Sequence, residues 1–217
     1  MRSLVVYVHG LWLNGWESTL LRRRLARQLG CETLAIQYAS VGANVDANAS
    51  TLARSLSRIH AETLHLVGHS MGGLMILELF ERYPGGRLAR GVRLPPGRIV
   101  LLGSPVRGSR AAQNLALLPF GGRLLGPTAA EVLLVPRERR WSGARDLGVI
   151  AGDLPVGFGR LVGPYGSPND GTVLVEETHV VGEKAHLTLH ATHSGMVYSS
   201  EVARQTASFL RTGRFGS

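Results

Sequence analysis

The stretch that most constrains this chain is Thr63-Leu64-His65-Leu66-Val67-Gly68-His69-Ser70-Met71-Gly72-Gly73. An apolar run enters Gly-x-Ser-x-Gly, and a helical pattern of Leu74, Met75, Ile76, Leu77, Leu79 and Phe80 follows at once. That order is strand, sharp turn, helix, with Ser70 at the tip of the turn. Such a turn holds its serine in a strained backbone conformation. A Cβ at either flanking glycine, Gly68 or Gly72, would collide with the neighbouring strand and helix. In this context Ser70 reads as a nucleophile rather than as part of an ordinary glycine-rich turn.

The rest of the chain supplies a frame for that turn. Residues 3–8, 33–38, 63–67, 98–103, 147–151 and 183–191 read as strands. Between them, residues 17–29, 45–60 and the stretch from 71 to Tyr83 read as helices, and a last helix covers 196–211. Strands that alternate with helices predict a six-stranded, mostly parallel sheet with helices on both faces. The helix after Ser70 is apolar almost all round, as a helix packed centrally on a sheet should be. Residues 104–145 are the least legible, with a helix suggested only at 109–118. A loop with five glycines between Gly152 and Gly166 leads to Asp170. No repeat or linker interrupts the pattern, and 217 residues suit one domain over 1–217.

Charge narrows the function classes. The formal net charge is +9, but Lys184 is the only lysine and the arginines are scattered. A nucleic-acid binder would gather its cations on one reading element, so nucleic acid is not an expected partner. A positive field still favours anionic substrates or surfaces. Cys31 stands alone, which excludes an intramolecular disulfide. The apolar run Leu4-Val5-Val6-Tyr7-Val8 is too short for a signal-peptide core, and His9-Gly10 interrupts it. No apolar stretch reaches the length of a membrane span. Cytoplasmic localisation without membrane insertion is the resulting expectation.

A serine hydroxyl is a weak nucleophile near neutral pH and needs a base, which in turn needs an orienting acid. At the strand ends of such a sheet the order is serine, acid, histidine. The base belongs after the last strand, where His193 sits in Thr192-His193-Ser194-Gly195; His179 is the alternative. The acid belongs after the fifth strand. Of the four aspartates, Asp46 and Asp146 precede the wrong elements, which leaves Asp170 in Asn169-Asp170-Gly171, with Asp153 as its rival. A compact turn that projects a carboxylate favours Asp170. Two backbone N–H groups should hold the oxyanion of a tetrahedral intermediate. Met71, at a helix N-terminus, and Leu11, in the loop set by His9-Gly10, are the candidates. No metal-ligand spacing is present, and no cofactor is expected.

Taken together, these residues resemble the α/β-hydrolase superfamily, specifically small bacterial esterases and lipases. The resemblance rests on Val8-His9-Gly10, on Gly68-His69-Ser70-Met71-Gly72-Gly73, and on Gly103-Ser104-Pro105-Val106-Arg107-Gly108-Ser109. Asn169-Asp170-Gly171 and His193 complete it. The third stretch looks most like triacylglycerol lipases and GPI-inositol-deacylase-like proteins. The resemblance implies a trimmed hydrolase sheet without a large cap domain, and a serine esterase or lipase that works through an acyl-enzyme on a small-molecule or lipid ester. A thioesterase or acyltransferase with the same serine is the alternative, and a non-catalytic binding protein a more distant one. Some lipases carry structural calcium, but no carboxylate cluster here suggests it. Trp12 and Leu13, with Leu118 and Phe120, are candidate substrate contacts. Leu115, Leu117, Leu118, Phe120, Leu124 and Leu125 read equally well as a short lid or acyl pocket and as core.

Overall fold

The computed structural model describes every residue except Met1, Ser142, Ala144, residues 158–165 and Ser217, and every side chain among those except that of Arg90. Part of the glycine-rich loop before Asp170 therefore lies outside the described residues. The strands are β1 (Ser3–Val8), β2 (Glu32–Ile36), β3 (Thr63–His69), β4 (Ile99–Leu102), β5 (Leu147–Gly152) and β6 (Ala185–Leu189). They form one six-stranded sheet in the order β2-β1-β3-β4-β5-β6. Every pairing is parallel. The helices are α1 (Thr19–Leu29), α2 (Val45–Leu56), α3 (Met71–Arg82), α4 (Arg110–Ala116), α5 (Gly121–Leu133) and α6 (Ser200–Thr212).

Alternate residues of the central strands build two cores. Leu4, Val6, Val8, Leu64, Leu66, Ile99 and Leu101 pack with α2, α3 and α5 on one face. Val5, Tyr7, Val67, Val100, Leu102 and Ile150 pack with α1 and α6 on the other. Because both faces are covered, these strands read as unbroken apolar runs. The edge strands β2 and β6 are only partly buried. Helix starts follow local chemistry: the side chains of Asn44, Ser109 and Ser199 accept the N–H groups of Ala47, Ala112 and Val202. Each such cap contributes about 0.5–2 kcal/mol.

The strand order places a switch point between β1 and β3. From β1 the chain moves outward to β2, then crosses back to β3 on the far side of β1. The connections leave in opposite directions there, so a crevice opens at the C-terminal strand ends. The loop after β1 and the turn after β3 share it. Among the described residues, no helix is long and apolar enough to cross a membrane.

One helix is absent from the sequence reading. Residues 121–133 are helical, but Gly126 has φ 74° and ψ 172°, which breaks α5 before Pro127. Gly121, Gly122, Gly126 and Pro127 all oppose helix by propensity. Burial of Leu125, Ala129, Val132 and Leu133 overrides it.

Glycine sets how closely α3 approaches the sheet. A Cβ built on Gly72 would lie 2.1 Å from the Val8 carbonyl oxygen, and one on Gly68 would lie 2.5 Å from the Gly73 Cα. Both obstacles are backbone, so no side-chain rotation relieves them. Gly72→Ala is therefore expected to destabilise the chain by about 2–4 kcal/mol. A thermal melt should show a fall in midpoint of roughly 5–15 °C. An unchanged midpoint would mean that α3 does not sit this close to β1.

Candidate active site

Ser70 occupies the turn between β3 and α3 with φ 54° and ψ −127°, a conformation rarely adopted by a residue with a side chain. Strain of this kind costs about 1–3 kcal/mol. Leu74, Met75 and Ile76, buried just behind the turn, contribute about 1.5–3 kcal/mol each, so packing outweighs it. The Ser70 N–H donates to the Leu102 carbonyl at 2.9 Å, which ties the turn to β4.

Two other strand-end segments converge on this serine. His193 Nε2 lies 3.0 Å from Ser70 Oγ. His193 Nδ1 lies 2.7 Å from Asp170 Oδ2. Asp170 is 1 % exposed. Its Oδ1 accepts the Thr172 and Val173 N–H groups at 2.9 and 2.7 Å, so only Oδ2 is left to face the imidazole. The Asp170 carbonyl also accepts the His193 N–H at 2.8 Å, so the two segments are joined through backbone as well as side chain. Glu177 braces the acid loop from behind, accepting the N–H groups of Leu174 and Arg110 at 2.9 and 2.7 Å. An Nδ1–H donated to Asp170 leaves the Nε2 lone pair on Ser70. That geometry can take a proton from the serine hydroxyl and hold the resulting imidazolium beside a carboxylate.

The loop after β1 is fixed by His9, which the sequence placed there, and by Tyr38, which the sequence reading missed. His9 Nδ1 donates to the Gly10 carbonyl at 2.8 Å, and its Nε2 accepts the Tyr38 N–H at 3.3 Å. The Tyr38 hydroxyl donates to the His9 carbonyl at 2.8 Å, and the two rings stack with centroids 4.4 Å apart. Burial lowers the His9 pKa, which keeps the neutral tautomer that this bonding needs. A Cβ on Gly10 would stand 3.1 Å from Ser70 Cβ, so this backbone abuts the serine directly. Leu11 follows in the same loop. Met71 is the first residue of α3, so its N–H has no acceptor within the helix.

His69 is the second missed residue. It fills the variable position of Gly-x-Ser-x-Gly, where the motif carries no signal. Its Nε2 donates to the His193 carbonyl at 3.0 Å, and its ring lies against that of His193 at 4.9 Å and 40°. Burial, with the neighbouring His193 as a smaller cause, pushes its pKa down to about 3.

Comparison with known proteins adds the family. A family model described as the alpha/beta hydrolase family matches residues 5–205. The chain belongs to that family. No curated protein matches it by sequence. Among solved structures, the mature form of the Bacillus licheniformis lipase BlEst2 is 16 % identical, with 99 % of this chain and 93 % of that one covered and a TM-score of 0.71. In the propeptide form of that lipase the identity is 17 %, the TM-score 0.72, and this hydrolase spans 51 % of the longer chain. A metagenomic carboxyl esterase, MGS0156, is 19 % identical over 88 % of this chain and 64 % of its own, with a TM-score of 0.63. At these identities the likeness is one of fold. The hydrolase has the six-stranded sheet without a large cap domain among its described residues.

The alternatives for acid and base lie elsewhere in the hydrolase. Asp153 pairs with the exposed His190 at 3.0 Å, and His179 pairs with Glu183 at 2.8 Å. The residues of the illegible segment divide. Leu125 is core and Leu115 packs against it. Leu117, Leu118, Phe120 and Leu124 are exposed, as are Trp12 and Leu13. Trp12 Nε1 donates to the Leu124 carbonyl at 2.8 Å, which joins the β1 loop to α5. Trp16 is exposed and unattached to the core, whereas Trp141 packs edge-on against Phe80. The fold also brings together His179, Glu183 and His186, whose ligand atoms lie within 4.8 Å of one another. Sequence spacing alone does not reveal this trio.

The buried His69 predicts an acid-sensitive fold. Its native pKa of about 3 lies below the ordinary 6.5, so between those values the unfolded chain binds the additional proton. Stability attributable to His69 is therefore complete above pH 6.5 and is lost as pH falls towards 3, at up to about 1.4 kcal/mol per pH unit. His69→Gln keeps a donor for the His193 carbonyl but does not titrate. Urea unfolding at pH 4–7 should give a shallower pH slope for this variant than for the natural chain. Parallel slopes would remove His69 as a source of the acid sensitivity.

Proposed function

We propose that this hydrolase cleaves carboxylic esters through an acyl-enzyme on Ser70. The observation that carries the reading is the position of His193, within hydrogen-bond reach of Ser70 Oγ on one side and of Asp170 Oδ2 on the other. His193 takes the Ser70 proton as Oγ attacks the ester carbonyl, and returns it to the departing alkoxide as the tetrahedral intermediate collapses. Asp170 holds the imidazole in the required tautomer and stabilises it when protonated. The N–H groups of Met71 and Leu11 receive the oxyanion, where the start of α3 adds a favourable field. Water then attacks the acyl group by the same steps in reverse order. Residues 1–217 act as one hydrolase unit in this reading.

The substrate is a small-molecule or lipid ester. Support comes from Trp12, Leu13, Leu118 and Phe120, exposed apolar side chains that offer area to an acyl chain, Trp12 and Leu13 from the loop whose Gly10 abuts Ser70. The lipase and esterase among the structural neighbours share the fold with this chain, and acyl-ester chemistry is consistent with their names.

A fluorophosphonate probe should label the natural chain and fail to label Ser70→Ala. The same variant should lose about 10⁶-fold in kcat on a chromogenic butyrate ester. Asp170→Asn should lower kcat by about 10⁴-fold through the wrong imidazole tautomer, whereas Asp153→Asn should leave it within a factor of about three. Retained turnover in Ser70→Ala would overturn the assignment. Preference for acyl-thioesters over matched oxygen esters would move the substrate class to thioesters with the same residues.

A further inference from the structure

Away from Ser70, the turn that precedes β6 carries an assembly that ester cleavage does not use. Glu183 Oε2 accepts the Val180 N–H at 2.8 Å, and Oε1 faces His179 Nδ1 at 2.8 Å. The turn itself is pinned from outside. The Val181 carbonyl accepts the Trp141 N–H at 2.8 Å, and the Val181 N–H donates to the Arg139 carbonyl at 3.0 Å. The carboxylate therefore has a fixed direction before any ligand arrives.

His186 is oriented just as firmly. The Thr178 hydroxyl donates to the Val175 carbonyl at 2.7 Å. Having spent its one proton there, Thr178 Oγ1 accepts from His186 Nε2 at 2.8 Å. That bond fixes the Nε2–H tautomer and leaves Nδ1 with the lone pair. A histidine whose second nitrogen is held by a hydrogen bond is the usual arrangement for a metal ligand, because the bond sets both tautomer and ring direction. The His179 and His186 rings stack at 3.9 Å and 20°, which brings both imidazoles beside the Glu183 carboxylate.

We propose that His179, Glu183 and His186 bind a divalent cation of the Zn2+ type. Two imidazoles with one carboxylate suit borderline ions and discriminate against Mg2+ and Ca2+, which prefer all-oxygen shells. The ion replaces the proton shared between His179 Nδ1 and Glu183 Oε1. That proton moves through solvent to His179 Nε2, which frees the Nδ1 lone pair, and water completes the coordination. Tetrahedral ligands about 2.0–2.1 Å from Zn2+ stand roughly 3.3 Å apart. The donor atoms here lie within 4.8 Å of one another, so closing on the ion takes movements of about 1 Å. The partly exposed His179 ring, with 41 % side-chain exposure, is free to make them by turning out of the stack. The consequence is structural. Residues 171–184 are the chain between Asp170 and β6, and β6 leads directly to His193. A bound ion ties this segment to the edge strand and so holds the Asp170 and His193 segments together.

Calorimetric titration of the metal-free full chain with ZnCl2 tests this. One equivalent should bind with Kd below about 10 µM. MgCl2 should give no heat. At a hundredfold excess over Kd, Zn2+ should raise the thermal midpoint by at least about 5 °C. Co2+ should give visible absorption of a four-coordinate site. His179→Asn, Glu183→Gln and His186→Ala should each weaken binding by about 10–100-fold. His179→Asn alters a partly exposed side chain, so it still reports if His186→Ala fails to fold. No binding tighter than about 1 mM would overturn the proposal, as would an affinity unchanged in His179→Asn and Glu183→Gln, which would mark an adventitious surface ion only.

Discussion

The close seating of α3 on the sheet is the constraint on which the site depends. The Val8 carbonyl stands where a Cβ of residue 72 would otherwise be, and Gly68 and Gly73 touch through backbone. At this separation the chain can turn from β3 into α3 only through one sharply bent residue, which is Ser70. The strain is local, while the burial that compensates for it spreads along the whole of α3. An interior packed at crystal-like density does not relax one without disturbing the other. Ser70 is therefore presented rigidly, at the N-terminus of a helix, and at the switch point of the sheet.

Around that fixed point, the other groups arrive on loops that are held by backbone. His193 is anchored to the Asp170 loop by its own N–H and to His69 by its carbonyl. Asp170 has one oxygen saturated by two N–H donors, which leaves a single direction for the other. The first loop is locked by His9 and Tyr38. Three buried histidines, His9, His65 and His69, are kept below their ordinary pKa mainly by burial. The fold thus holds these three imidazoles neutral as fixed hydrogen-bonding parts, whereas His193 stands between the Asp170 carboxylate and the Ser70 hydroxyl.

Two further features depend on long-range contacts. Trp12 bonds to Leu124 and so brings α5 beside the β1 loop. The His179–Glu183–His186 group exists because the 179–183 turn folds back on the edge strand. The turn lies between the Asp170 and His193 segments, which are hydrogen-bonded to each other.

Much of the framework was legible from residue order. Short apolar runs and period-3.6 patterns fall on their elements to within a few residues, because both faces of a parallel sheet demand apolar strands. Gly-x-Ser-x-Gly marked the elbow, and the rule of serine, acid, histidine led to Asp170 and His193 as candidates, the two residues that the fold brings to Ser70. Helix α5 was not legible, because its glycines and Pro127 oppose the helix that tertiary burial enforces. His69 and Tyr38 were not legible either, since their partners lie 124 and 29 residues away. The sequence by itself determined the sheet, the elbow and which residue types stand at the strand ends, because those follow from local sterics and hydrophobic period. Only the tertiary structure decided that Asp170 rather than Asp153 meets His193, which apolar residues of 104–145 face solvent, and that His179 and His186 share one carboxylate. Those outcomes depend on which loops fold back across the strand ends, and no local pattern encodes that distance.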